Sequence, residues 1–121
     1  MPKPRLPDAE IERRLPVWQA MTDLFLDTEL DAADYDGIAR VLLQSGYPVA
    51  ELRRIFEQEV TPAFSHNIYA VAGEWAGWDE EFVRERMLES WRPRMSWLRR
   101  MLNADARRTM APAWAEVERR L

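Results

Sequence analysis

Apolar side chains recur at three- and four-residue intervals along nearly the whole chain, and no stretch alternates polar and apolar residues strongly enough to count as a strand, so the periodicity restricts the fold to helices. Prolines and glycines punctuate the pattern. Asp8 is the predicted cap of a first helix, which either kinks at Pro16 or restarts there, because proline has no amide hydrogen to donate. Trp18, Met21, Leu24 and Phe25 then share one face, the expected core. Tyr35, Ile38, Val41 and Leu42 mark a second amphipathic helix, with Gly46 where a left-handed residue closes such a helix. Pro48 opens a third, whose apolar stripe is Leu52, Ile55, Phe56 and Val60. Glu51, Arg53, Arg54, Glu57 and Gln58 hold its wet side, and Pro62 ends or bends it.

Ser65 to Asp79 reads as a short helix followed by a loop. Asp79 is a cap for the next helix, with Glu80 and Glu81 complementing the positive end of its dipole. Met87, Trp91, Met95, Leu98 and Leu102 trace one stripe along a long helix that Pro93 kinks, and Trp97 and Met101 fall off that stripe as interface candidates. Asn103 and Asp105 separate it from a last helix carrying Met110, Trp114, Val117 and Leu121. A chain of 121 residues can bury one core and is too short for two ordinary domains. The expectation is an all-α, compact bundle of five to six helices in a single domain spanning 1–121, with 1–7 flexible and 87–121 a C-terminal helical extension.

Charge narrows the chemistry. A net charge of −4 argues against non-specific binding to a phosphate backbone. The absence of cysteine removes disulfides, thiolate metal sites and a cysteine nucleophile. The first ten residues lack the apolar run of a signal peptide and no stretch has the length of a spanning helix, so a soluble, cytoplasmic protein without membrane association is expected.

Asp23, Asp27, Glu29, Asp31, Asp34 and Asp36 cluster within fourteen residues without one compensating base. Between Arg84 and Arg108, eight arginines outnumber three acids. The two surfaces either pair, within one molecule or across a homodimer, or leave one side open to a partner. Asp27, Glu29 and Asp31 have the alternate spacing of a calcium loop, but Ala32 stands where its sharp turn needs glycine and Ile38 where a bidentate glutamate belongs. No metal or cofactor is expected. His66 is the only histidine and reads as a capping or surface residue. Trp75 and Trp78, beside Gly73 and Gly77, suit either a core seal or an interface.

The words RLPVWQAMTDLFLDTEL, from Arg14 to Leu30, and AVAGEWAGWDEEFV, from Ala70 to Val83, resemble a family of small bacterial proteins of unassigned function. Ile38-Ala39-Arg40-Val41-Leu42 and Glu59-Val60-Thr61-Pro62 add to the likeness, which covers Arg14 to Arg86; the tail beyond looks particular to this chain. The resemblance implies a small helical cytoplasmic protein and hands over no catalytic residues. Small acidic domains of this kind look like immunity proteins of bacterial toxin systems, a step made by analogy.

The expected function is therefore not enzymatic: stoichiometric binding of a cognate toxin or effector protein through Asp27, Glu29, Leu30, Asp31, Asp34, Tyr35, Asp36 and Trp78. Charge would steer capture and the apolar neighbours would slow release. One alternative is a divalent-metal hydrolase with Asp23, Asp27 and Glu74 as ligands and His66 as base. Another is a nucleic-acid-associated regulator presenting Arg84 to Arg108, which the net charge disfavours.

Overall fold

The computed structural model of the chain describes residues 6–25, 30–64, 79–91, 101 and 103–121. Within them the protein is an all-α bundle, as the periodicity requires. Its elements are α1 (Asp8–Thr22), a 3-10 turn (Asp23–Phe25), α2 (Ala32–Gln44), α3 (Val49–Ile55), a π-helical turn (Phe56–Val60), α4 (Thr61–Phe64), α5 (Glu80–Ser90) and α6 (Ala104–Glu118). α3, the π turn and α4 follow one another without a break.

α1 is the central element and packs against α2, α5 and the π turn, while α6 packs on α2 and on the 3-10 turn that ends α1. Trp18, Met21, Leu24 and Phe25 are all buried, as their spacing requires. Phe25 links the ring of Phe56 at 5.7 Å to that of Phe64 at 6.3 Å, and Trp114 stacks on Phe56 at 5.0 Å. Met110, Trp114 and Val117 thereby place α6 in the same core as α1. Burying each large apolar side chain contributes about 1.5–3 kcal/mol, so the aromatic column is a large share of what holds the bundle together.

Three proline predictions resolve differently. Pro16 neither kinks the chain into two elements nor restarts it. α1 runs through it, because Pro16 and Glu12, whose carbonyl its amide would have met, both lie on the exposed face where water can serve. Pro62 does not end its helix but follows the π turn, whose wider winding accommodates a ring that collides with the carbonyl four residues back in an α-helix. Near Pro93 the expected long kinked helix is not formed as one rod from α5: α5 stops at Ser90 and Trp91 is extended, with ψ 134°. That avoids a proline ring in the next turn. Met95, Leu98 and Leu102 lie outside the described side chains.

Capping follows local rules with one exception. Asp79 Oδ1 accepts the amide of Phe82 at 2.8 Å and starts α5 as predicted. Asp8 does not cap α1. Pro7 occupies that place with φ −57°, its carbonyl takes the amides of Glu10 and Ile11, and Asp8 falls in the first turn. Gly46 takes φ +81° just after α2. Gly46→Ala is expected to destabilise the fold by about 1–2 kcal/mol, since a side chain in the left-handed region carries that penalty. Urea denaturation of the variant measures it, and an unchanged midpoint would refute the assignment.

Candidate functional site

Two polar clusters stand out, one on the surface at the start of α2 and one inside the bundle beneath α1. The surface cluster is built by the acidic stretch. Asp31 is the N-cap of α2, with Oδ1 accepting the amide of Asp34 at 2.9 Å, while Asp34 Oδ2 accepts the amide of Asp31 at 2.9 Å. This reciprocal capping box satisfies two amide donors of the first turn and fixes both side chains. Asp31 and Asp34 nonetheless remain exposed.

Asp36, two residues after Asp34, is exposed and accepts from Arg120 Nε at 2.6 Å. The same guanidinium lies 5.4 Å from the centre of the Tyr35 ring. Leu30 and Tyr35 are half-buried against the core. Asp23 ends α1 as its C-cap, half-buried, and its carboxyl is raised above the ordinary value first by burial and then by the charge of Asp34. A carboxylate at a helix C-terminus also faces the negative end of the dipole. The structure thus brings Asp23, Leu30, Asp31, Asp34, Tyr35 and Asp36 to one corner, while Asp27, Glu29 and Trp78 lie outside the described residues.

The basic stretch does not supply this corner's counter-charge among the described ion pairs. Arg84 pairs with Glu12 at 2.8 Å and Glu80 at 3.7 Å, Arg86 Nε donates to the Ala63 carbonyl at 2.8 Å, and Arg108 pairs with Asp105. Among the described ion pairs, the base that reaches the acidic corner is Arg120, from the other end of α6. Met101 is 62% exposed, in keeping with its place off the predicted stripe, and Trp97 lies outside the described residues.

The interior cluster centres on Glu59, whose side chain is 2% exposed. Its Oε1 accepts Trp18 Nε1 at 3.0 Å, and its Oε2 accepts both Arg14 Nη1 and, at 3.0 Å, Arg54 Nη2. Arg14 Nε donates to Glu10 Oε2 at 3.2 Å, and Tyr47 Oη reaches the same oxygen at 3.4 Å. Burial alone would lower the Arg14 guanidinium, but the hydrogen bond and charge of Glu59 outweigh it and hold it above its ordinary value. The hydrogen bond from Arg54 holds Glu51 below the usual carboxylate range.

Sequence reasoning did not single out this network, although a signal for it was present. Arg14 lies three residues after Ile11 and four before Trp18, and Glu59 lies four after Ile55 and one before Val60. Opposite charges therefore sit on two stripes otherwise read as apolar.

A third feature is a cleft of about 250 Å³ between α3 and α6, floored by Phe56 and Trp114 and bridged by the ion pair of Arg53 with Glu118 at 2.6 Å. The proposed hydrolase ligands Asp27 and Glu74 and the base His66 lie outside the described residues. Among the described residues no three His, Cys, Asp or Glu side chains group as metal ligands, and no helix is long and apolar enough to cross a membrane.

A family model described as Domain of unknown function (DUF7079) matches residues 12–120, which takes in the tail that the shared words leave out. No curated protein and no solved structure matches the chain.

Proposed function

The chain belongs to this family of unknown function, and on that premise we propose that it is a non-enzymatic, cytoplasmic binding protein that neutralises a cognate toxin by seating the acidic corner against a basic surface. The observation that carries the reading is the placement of Asp23, Asp31 and Asp34. Two carboxylates are held rigidly in the open by a capping box, and a third is retained where burial, the helix dipole and a like charge all disfavour it. A cation from a partner would offset those penalties by direct attraction to the carboxylates. Preorganised charge of this kind speeds encounter and lowers the ordering cost of binding. Leu30 and Tyr35 beside it supply apolar area that would slow release.

The test separates charge from fold. Asparagine is as good an N-cap as aspartate, so Asp31→Asn with Asp34→Asn removes both charges and leaves the capping oxygens in place. The tagged protein and this variant are each used to recover partners from native cell lysate at low and moderate salt. Support is a stoichiometric partner, toxic when expressed alone and harmless when co-expressed, that the variant fails to hold. Equal retention by the variant at every salt concentration sinks the acidic-corner reading.

Asp23→Asn makes a second prediction with opposite signs in two assays. The carboxyl is raised in the folded state, so its ionised form works against folding above that raised value, and the penalty shrinks as pH falls through the raised value and is gone below the unfolded value near 4. The variant is expected to unfold at a higher temperature than the parent at pH 7, by about 0.3–1 kcal/mol, with the gain gone by about pH 3. Capture of the partner is expected to weaken. Thermal unfolding across pH checks the first part, and a gain that persists at pH 3 would contradict it.

A further inference from the structure

The irregularity at the centre of the bundle is the π-helical turn Phe56–Val60, which holds one residue more than an α-helical turn would. The apolar pattern does not demand it. Leu52, Ile55, Phe56, Val60, Ala63 and Phe64 are spaced as one continuous α-helical stripe, and all six are buried. The apolar spacing is therefore compatible with two windings, which differ by one residue of phase, about 100°. Pro62 and Gln58 are both partly exposed, so an α winding would carry this proline as α1 carries Pro16, with the clash relieved on the solvent side.

Two side-chain hydrogen bonds tell the windings apart. Arg54 Nη2 donates to Glu59 Oε2 at 3.0 Å, and Thr61 Oγ1 donates to the Phe56 carbonyl at 2.7 Å, each across five residues. In an α-helix, residues five apart point about 140° away from each other, while in the π winding they stand over one another. The Thr61 amide also bonds to the Phe56 carbonyl, and Thr61 is fully buried.

We propose that Phe56–Val60 is a two-register switch, locked in its π form by the Arg54–Glu59 and Thr61–Phe56 hydrogen bonds and able to relax to an α-helix when they are withdrawn. Glu59 is anchored from the far side by Arg14 and Trp18 of α1, so the lock ties α3 to α1. Its accessible end is Arg54, whose side chain is 36% exposed and also bonds Glu51 in a spacing that either winding permits. Relaxation turns α4 relative to α3. It thereby disturbs the contacts of α4 with α5, where the Phe64 ring lies 6.4 Å from that of Phe82 and Arg86 holds the Ala63 carbonyl.

Arg54→Met removes one lock while leaving Glu59 its Arg14 and Trp18 donors, and Thr61→Val removes the hydroxyl at nearly constant volume. In the full chain, nuclear Overhauser contacts report the winding and amide exchange reports its opening. Each single variant is expected to speed exchange of the Thr61 amide about fivefold, the loss of about one hydrogen bond. The double variant is expected to exchange the Phe56-to-Thr61 contact for the Glu57-to-Thr61 contact of an α-helix. Pro62→Ala alone is expected to keep the π winding. An unchanged winding and unchanged exchange in Arg54→Met and in the double variant overturn the proposal. So does conversion to α by Pro62→Ala alone, which would make the proline ring the lock. Should the double variant not fold, the Arg54→Met and Pro62→Ala results decide.

Discussion

Glu59→Ala is expected to lower the free energy of unfolding by about 3–5 kcal/mol, most or all of the stability of a domain at the low end of the ordinary range of about 5–15 kcal/mol. The size follows from what the carboxylate leaves behind. Arg14 is buried, and without Glu59 the ion pair its charge keeps among the described residues is the i−4 contact with Glu10, which is more than a third exposed. The indole of Trp18 loses its acceptor in the same step. An uncompensated buried charge and an unsatisfied donor are both costly, whereas replacing the whole cluster by apolar side chains is often neutral or favourable. The combination Arg14→Met with Glu59→Leu is therefore expected to recover most of the loss. Urea titration followed by circular dichroism measures both, and a Glu59→Ala cost below about 1 kcal/mol would show that the network is not what joins α1 to the π turn.

Trp114→Ala is expected to cost a similar amount, about 3–5 kcal/mol. The indole is 5% exposed, stacks on Phe56 and donates from Nε1 to Glu118 Oε1 at 3.1 Å. Glu118 in turn accepts from two nitrogens of Arg53, Nε and Nη2, a contact that holds its carboxyl below the usual range. Removing the ring opens a cavity beside the Phe56–Phe25–Phe64 column and leaves the Arg53–Glu118 pair unsupported. If α6 were only appended to the bundle, the variant would lose part of its helical signal early and keep the main unfolding midpoint. A single cooperative transition shifted to lower urea is the expected result.

The helices were legible because periodicity is a local property. The stripes of α1, α2, α3 and α6 follow from spacing alone, and Gly46 and Asp79 were identifiable because each answers a demand made by one turn of backbone. What spacing could not settle was competition between a local rule and a neighbour. Pro16 looked like a break until its face turned out to be the exposed one, and Pro62 looked like an end until the turn before it widened.

The candidate site divides the same way. The acidic residues were visible as a run, and that two of them cap α2 is a matter of three residues of backbone, but that Asp36 meets Arg120, 84 residues away, depends on how the chain closes. The interior network was missed for a related reason. Arg14 and Glu59 are each a single polar interruption of an apolar stripe, and they make sense only when the two stripes face one another.

The pairing of Arg120 with Asp36 also fixes where the backbone leaves α6. Leu121 packs partly buried against the core beside that contact. Anything joined after Leu121, an affinity handle or a further stretch of polypeptide, leaves the bundle next to the acidic corner and shades it. A handle placed before α1 and one placed after α6 would thus present two different proteins to the same binding partner.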